Sequence, residues 1–304
     1  MQPVINDSWY SGSDLYSDGD IEWWILQQLT NGRTPEDLLL ESNQWPVLYH
    51  FSSLRKNIVQ WIDFPRDANT LEIGGGLGAI TGELCRKSRK VTCVDLSMMR
   101  SRINAERNKL RGNLEIIVAN LNDVPLKQDY DVVTLIGVLE YGGRFSEGEN
   151  PYADFLRKTF SLVKEGGMLI IAIENRMGLK YFAGADEDHY AEPFVGLNHY
   201  RKNEGIQTFD YDEMTQLLGS SGIEKYQFYL PFPDYKFPTR VVSADHPEFF
   251  GESLTEEANY GAYKVKTFDQ KTVFSTLQKF KMLPQFANSF LIIASKDQTV
   301  EGEI

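Results

Sequence analysis

Cysteine is scarce in this sequence, and basic residues are outnumbered by acidic ones. Two cysteines and four histidines in 304 residues are too few for a disulfide framework or a cysteine-based zinc site. The formal net charge of -12 disfavours DNA and RNA as partners, because a polymer of phosphates requires a basic protein face. No basic leader and no apolar run of membrane-spanning length is visible, so we expect a cytoplasmic protein.

Short apolar runs rich in β-branched residues recur between helical patterns. Near-continuous apolar strands of this kind are typical of a parallel sheet covered on both faces. Two later runs predict an antiparallel pair at one edge. The pattern predicts an α/β fold, a Rossmann-like doubly wound sheet of seven strands with an antiparallel last strand. The predicted strands are 70–73, 90–95, 114–120, 130–138, 168–174, 224–230 and 288–296.

Three segments lie outside this strand pattern. Residues 1–63 contain an amphipathic stretch, and we expect them to form an N-terminal helical cap. The main domain is predicted over 64–297. Two insertions, at about 176–208 and 232–286, are predicted to be lids over the substrate, because structureless loops this long are uncommon unless they are functional.

A glycine-rich loop follows the first of the predicted parallel strands. Missing side chains there let a ligand approach the backbone and the start of the next helix. The spacing up to Ala79, with Asp95 about twenty residues on, also fits a dinucleotide-binding fold that would take NAD. Glu72 favours S-adenosylmethionine instead, because a carboxylate attracts a sulfonium and an ammonium and repels a pyrophosphate. The glycines are Gly74, Gly75, Gly76 and Gly78.

Residues 71–78, Leu-Glu-Ile-Gly-Gly-Gly-Leu-Gly, resemble the first motif of class I S-adenosylmethionine-dependent methyltransferases. Residues 128–141 resemble the fourth motif. The resemblance implies that the loop holds the methionine part of the donor, that Asp95 binds the ribose, and that Leu96, Asn120 and Leu121 contact the adenine. The family more often has aspartate at position 120, and an amide can also bond adenine. The implied donor residues are Glu72, Gly74, Gly76, Gly78, Asp95, Leu96, Asn120, Leu121 and Gly137.

The segment 173–190, after the fifth predicted strand, is dense in polar residues. Ligands of such sheets bind at the carboxyl ends of the strands, so this segment is predicted to hold the acceptor. Arg176 and Lys180 are the candidate partners of a phosphate or carboxylate. Aromatic residues are enriched between 181 and 250 and could cover a sugar or a flat ring. The candidate substrate-binding residues are Asn175, Arg176, Lys180, Tyr181, His199, Tyr235 and Lys236.

A hydroxyl acceptor needs a base, and histidine titrates closest to neutral pH. We predict that His189 is this base, oriented by Asp188 or Glu187, with Glu174 as a further catalytic candidate. The run 186–189 could instead bind a divalent cation. Because neighbouring residues rarely converge on one ion, we expect no metal.

Residues 173–189, 232–239 and the Tyr49-His50-Phe51-Ser52 phrase resemble a narrower group of methyltransferases. These are encoded beside, or fused to, glycosyltransferases of bacterial surface polysaccharides. The resemblance implies O-methylation of a sugar or sugar-phosphate, and a glycosyltransferase partner. Two alternatives stay open: methylation of a small aromatic or amino metabolite, and a non-catalytic donor-binding regulator of a glycosyltransferase.

Overall fold

The computed structural model describes residues 2–14, 17–146, 148–200, 205–247 and 267–296. They form two compact units. The first unit lies within 1–135 and 161–169 and includes Lys296, and the second lies within 136–160 and 170–295. Residues 201–204 and 248–266 of the two predicted lids, and position 297 at the predicted end of the main domain, lie outside the described residues.

Short helices make up most of the N-terminal part of the first unit. They are α1 (Asp20–Thr30), α2 (Pro35–Glu41), α3 (Trp45–Phe51) and α4 (Asn57–Gln60), with a 3-10 turn at Ser53–Lys56. Helix α2 begins with a capping box between Thr34 and Asp37, which satisfies two backbone N–H groups at its first turn.

A parallel sheet forms the rest of the first unit. Its strands are β1 (Val4–Asn6), β2 (Asn69–Ile73), β3 (Lys90–Asp95), β4 (Leu114–Val118), β5 (Tyr130–Ile136) and β6 (Val163–Glu174). Helices α5 (Thr81–Lys87) and α6 (Met98–Arg107) connect β2 to β3 and β3 to β4. The strand order is β1-β4-β3-β2-β5-β6. The neighbouring pairs β1–β4, β4–β3, β3–β2 and β2–β5 are parallel.

The N-terminal helices pack on α6 and on the glycine loop. Trp24 is partly buried against this core, whereas its neighbour Trp23 is exposed. The amphipathic stretch therefore packs through the face that contains Trp24 and leaves Trp23 exposed. The buried core residues are Ile25, Leu29, Leu38, Val47, Phe51, Leu77, Met99 and Ile103.

Strand β6 continues into the second unit, where the remaining strands run mostly antiparallel. They are β7 (Tyr226–Phe232), β8 (Arg240–Ser243) and β9 (Ser289–Ser295), in the order β6-β9-β7-β8. The β7 strand is antiparallel to both β8 and β9. The helices of this unit are α7 (Pro151–Ser161), α8 (Leu179–Phe182), α9 (Tyr211–Ser220), α10 (Gln270–Lys279) and α11 (Leu283–Phe286), with a 3-10 helix at Leu139–Arg144.

The predicted α/β architecture and the antiparallel C-terminal part are confirmed, but the predicted number of seven strands is wrong. The described residues contain nine strands. The two additions are β1, of three residues, and β8, of four, and strands this short carry too little alternation to be visible in a sequence. The predicted N-terminal cap therefore also contains a strand, β1. No helix in the described part of the chain is long and apolar enough to span a membrane.

Candidate functional site

The glycine loop between β2 and α5 depends on backbone conformations that other residues rarely adopt. Gly74, Gly76 and Gly78 have φ angles of 75°, 51° and 76°. A Cβ atom on Gly78 would collide with the side chain of Asn104. At Gly76 the nearest atom to such a Cβ is Cε1 of His50, at 3.9 Å. Gly76 is therefore a position at which the loop backbone is open to a ligand.

Asp95, at the end of β3, holds the glycine loop in place. Its Oδ2 accepts a hydrogen bond of 2.7 Å from the backbone N–H of Gly76, and its Oδ1 accepts one of 2.9 Å from Ser97. Burial raises the pKa of this carboxyl. Each carboxylate oxygen can accept further hydrogen bonds, so Asp95 can hold the loop and also receive ribose hydroxyls.

Glu72 is placed beneath the loop. Its Oε2 accepts a hydrogen bond of 2.6 Å from the Thr81 hydroxyl, which in turn accepts one of 3.0 Å from Asn104. Burial raises the pKa of Glu72 to about 7. The sequence predicted a carboxylate facing the positive charge of the donor, and in the structure one oxygen of that carboxylate ties β2 to the first turn of α5.

The other predicted adenine contacts follow β3 and β4. Leu96 is half-buried and Leu121 is buried. The Asn120 side-chain oxygen accepts a hydrogen bond of 2.9 Å from the backbone of Asn122. This turn fixes the orientation of the amide, so position 120 presents a polar group held in one orientation.

The His50 side chain of α3, not assigned to the donor site from the sequence, lies next to the glycine loop. Nε2 of His50 lies 3.1 Å from Oδ2 of Asp18, and the same oxygen accepts a hydrogen bond of 2.7 Å from Arg100. Burial lowers the pKa of His50 to about 4, so the ring is neutral at pH 7. In the sequence, residues 49–52 are noted only for their resemblance to a family, and that resemblance was the one signal for His50.

In the second unit, buried charges of opposite sign alternate. The Lys236 ammonium bonds a carboxylate oxygen of Glu174 and lies 2.8 Å from Oδ1 of Asp188. The Lys180 ammonium lies 2.8 Å from Oδ2 of Asp188 and 3.6 Å from Oδ2 of Asp234. Burial disfavours ionisation of Asp188, but the two lysines hold its pKa well below the usual range. The side chains of this group are therefore fixed by one another.

His189 lies between two other carboxylates. Nδ1 is 3.0 Å from Oε1 of Glu187, and Nε2 is 3.6 Å from Oε1 of Glu140. Burial opposes the charged imidazolium, but hydrogen bonds with Glu140 and Glu187 raise the pKa of the ring well above its ordinary value. Of the two predicted orienting residues, Glu187 contacts the ring, whereas Asp188 bonds the lysines. A ring that keeps its proton at pH 7 is not ready to act as a base.

Glu140 is the principal residue that the sequence interpretation missed. It follows β5 in the 3-10 helix Leu139–Arg144 and is almost completely buried. A Cβ atom on Gly137 would lie 2.8 Å from the Tyr235 hydroxyl oxygen and 3.6 Å from Oε1 of Glu140. An acidic residue just beyond the carboxyl end of a strand is a signal that could have identified it.

Several predicted substrate-binding side chains are engaged by the protein itself. Arg176 contacts Asp210 at 2.8 Å, Glu213 at 2.7 Å and Nδ1 of His199 at 2.7 Å.

Two further residues that were predicted to bind substrate, Asn175 and Tyr181, also bond other parts of the protein. The Asn175 amide donates to the backbone oxygens of Gln285 and Ala287, which connects the end of β6 to the segment before β9. The Tyr181 hydroxyl donates to Asp188 at 2.5 Å, so Tyr181 belongs to the lysine cluster.

Comparisons with known proteins give one family and several remote relatives. A family model described as a methyltransferase domain matches residues 71–169. The chain is 22% identical over 235 residues to ribosomal RNA small subunit methyltransferase A of Mycoplasma capricolum, covering 74% of this chain and 77% of that protein.

Two further proteins to which the chain is similar are also described as methyltransferases. The chain is 21% identical over 182 residues to a ubiquinone biosynthesis O-methyltransferase of Hydrogenovibrio crunogenus, covering 59% of this chain and 73% of that protein. A solved methyltransferase from Thermotoga maritima aligns with a TM-score of 0.49 at 17% identity, covering 90% of this chain and all (100%) of that one.

Proposed function

The chain is an S-adenosylmethionine-dependent methyltransferase, and from this premise we propose that it methylates a hydroxyl of a neutral sugar in a surface glycan. The donor is assigned to the glycine loop and Asp95 of the first unit. The acceptor is assigned to the charged cluster of the second unit, which we define as Glu140, Glu174, Lys180, Glu187, Asp188, His189, Asp234 and Lys236.

The choice of a neutral acceptor rests on one observation: the cations of the cluster are already paired with carboxylates of the protein. Lys180 and Lys236 both bond carboxylates, and Arg176 is held by Asp210 and Glu213. The five carboxylates of the cluster outnumber its three cationic groups. Such a site repels a phosphate and suits an uncharged, hydroxyl-rich molecule, because each hydroxyl can donate to a carboxylate. This narrows the predicted sugar or sugar-phosphate to a neutral sugar.

The reaction is an in-line displacement at the methyl carbon of the donor. The acceptor oxygen forms a bond to this carbon as the carbon–sulfur bond breaks, which leaves a neutral thioether, and the hydroxyl proton passes to a carboxylate. Glu140 and Glu174 are the candidates for that carboxylate, since each is buried and has one oxygen without a hydrogen-bond partner among the described residues. Aligning the two reactants and excluding water supplies most of the rate.

Burial and the nearby Glu174 raise the pKa of Glu140. A carboxylate with a raised pKa is a better proton acceptor than an ordinary one. We therefore transfer the role of base from His189 to Glu140 and keep His189, oriented by Glu187, as the group that positions Glu140. Asp188 and Glu174 keep their places in the catalytic cluster, with Lys236 between them.

An amino metabolite is the second candidate, because the same excess of carboxylates attracts an ammonium group. Ribosomal RNA, which the name of one relative specifies, fits less well, since the chain carries a net charge of -12 and RNA binding depends on basic residues. A glycosyltransferase that extends the same glycan is the partner implied by this function.

The experiment that tests the proposal offers methyl-labelled S-adenosylmethionine with four classes of acceptor: neutral glycans, sugar phosphates, amines and RNA. We expect label on a hydroxyl oxygen of a neutral glycan, identified by mass spectrometry after hydrolysis. Label on nitrogen would establish the second candidate, and label on RNA or on sugar phosphates alone would refute the assignment.

A further inference from the structure

Three buried side chains of the second unit converge from separate parts of the chain. Glu140 lies in the 3-10 helix after β5, Glu174 ends β6, and His189 lies in the following loop. One ligand atom of each lies within 4.8 Å of the others. The two glutamates are 2% and 1% exposed, so the carboxylates face protein and not bulk water.

Two of the converging groups have an oxygen that the protein does not satisfy. Oε2 of Glu140 and Oε2 of Glu174 have no hydrogen-bond partner in the described residues, although both atoms are buried. Leaving a buried carboxylate oxygen without a partner costs free energy. The arrangement is therefore unexplained by the contacts within the protein and points to a bound group that these oxygens receive.

The surroundings of His189 match those of a metal-binding histidine. Glu187 bonds Nδ1 of the ring at 3.0 Å and accepts a hydrogen bond of 2.7 Å from the His189 backbone. Metal-ligating histidines commonly donate their second ring nitrogen to a carboxylate, which fixes the ring and its tautomer. Here Glu187 leaves Nε2 directed toward Glu140.

We propose that Glu140, Glu174 and His189 bind a divalent transition-metal cation, which displaces the proton from Nε2 of His189 as it binds. Two carboxylate oxygens and one imidazole nitrogen favour Mn²⁺ or Zn²⁺ over Mg²⁺ and Ca²⁺, which prefer oxygen ligands alone. The three ligand atoms lie within 4.8 Å of one another, and three ligands of one ion lie roughly 3 to 4 Å apart, so the side chains need to close by about 1 Å when the ion binds. The cation offsets the excess of carboxylates in the cluster, and Lys236 holds the other oxygen of Glu174.

The site differs from the one considered in the sequence. In the run 186–189, Asp188 bonds the lysines and Glu187 supports His189, so these neighbours do not share an ion. The ligands come instead from three elements, of which only the last lies in that run. The use of the cation rests on the proposed function: it would bind the acceptor hydroxyl and make its proton easier to remove. Cation binding itself does not rest on it.

The test is a titration of the metal-free, full-length protein with Mn²⁺, Zn²⁺ and Mg²⁺ separately by calorimetry, without donor or acceptor. We expect one saturable site for Mn²⁺ or Zn²⁺, weakened at least tenfold by Glu140→Gln. Glu187→Gln should weaken it by about tenfold, the lower end of the range for a group that supports a ligand. Glu224→Gln, at an exposed carboxylate of the same unit, is the matched control and should bind as the wild type does.

Two outcomes would overturn the site: absence of saturable binding of all three cations, or Glu140→Gln binding like the wild type. If the Glu140 variant fails to fold, pulsed electron paramagnetic resonance of the wild-type Mn²⁺ complex decides the matter. The site is supported if the spectrum shows modulation from an imidazole nitrogen and the His189→Gln variant lacks it. The site is refuted if the wild-type spectrum shows no such modulation. Saturable cation binding without methylation of any glycan would refute the proposed function and leave the metal site standing.

Discussion

The glycine loop of the first unit and the charged cluster of the second are built in opposite ways. The loop is a continuous stretch whose geometry comes from backbone angles at Gly74, Gly76 and Gly78, and Asp95 fixes it through a backbone N–H. The cluster consists of long side chains from positions as distant as Glu140 and Lys236. The proposed donor site therefore depends on local sequence, whereas the proposed acceptor site depends on how distant segments are brought together.

The largest effect should follow a change in the cluster. Replacing Glu140 by glutamine removes the proposed proton acceptor and should lower kcat/KM by about 1000-fold, within the range for loss of a general base. Initial-rate kinetics with labelled donor measure this, and Glu224→Gln is the matched control. If kcat/KM fell by less than about threefold, which corresponds to under 1 kcal/mol, Glu140 would have a structural role only.

A change in the loop should affect the donor instead. Gly76→Val forces a β-branched residue to φ 51° and fills the open face of the loop, so the affinity for S-adenosylmethionine should fall by about 100-fold. Gly32→Val imposes a comparable backbone strain at φ 83° with no atom nearby, so it should keep donor affinity. Calorimetry on both variants separates the loop from general strain, and equal affinities would show that the loop does not hold the donor.

The contrast between a local loop and a cluster of distant side chains explains which features could be predicted from the sequence. The parallel strands, the loop and Asp95 were visible because each is a short local pattern. The sequence does not distinguish Asp188 from Glu187 as the partner of His189, since two adjacent carboxylates look alike until the direction of the chain is known. Arg176 and Asn175 were predicted to face substrate because they are polar and follow a strand, but their partners lie on α9 and before β9, which no local pattern reveals.

The carboxylate beneath the loop should make stability depend on pH. Because burial raises the pKa of Glu72 to about 7, the folded state binds more protons than the unfolded state above the ordinary glutamate pKa. Stability from this group is thus present at low pH and is lost as pH rises toward and through 7.

Because of Glu72, the free energy of unfolding should fall by about 2 kcal/mol between pH 5 and pH 8. Urea unfolding at both values measures it, and Glu72→Gln should abolish this part of the difference. An unchanged pH dependence in that variant would show that Glu72 is ionised throughout. The same variant should leave the kinetics at the acceptor cluster unaltered at saturating donor.

The smallest effect is expected at Arg176. Lysine keeps the charge but loses the planar contacts with Asp210, Glu213 and His199, so Arg176→Lys should lower the free energy of unfolding by about 1 kcal/mol. Urea unfolding tests this, with KM for the acceptor expected to stay constant. A rise in acceptor KM at unchanged stability would restore Arg176 to the substrate site predicted from the sequence.

The division of labour between the two units is tested most directly by calorimetric titration of S-adenosylmethionine into Glu174→Gln, a variant that we expect to be inactive. The donor dissociation constant should stay within about twofold of the wild-type value, a difference under 0.5 kcal/mol, because the glycine loop and Asp95 are untouched. A dissociation constant raised tenfold or more would contradict the assignment of donor and acceptor to separate units.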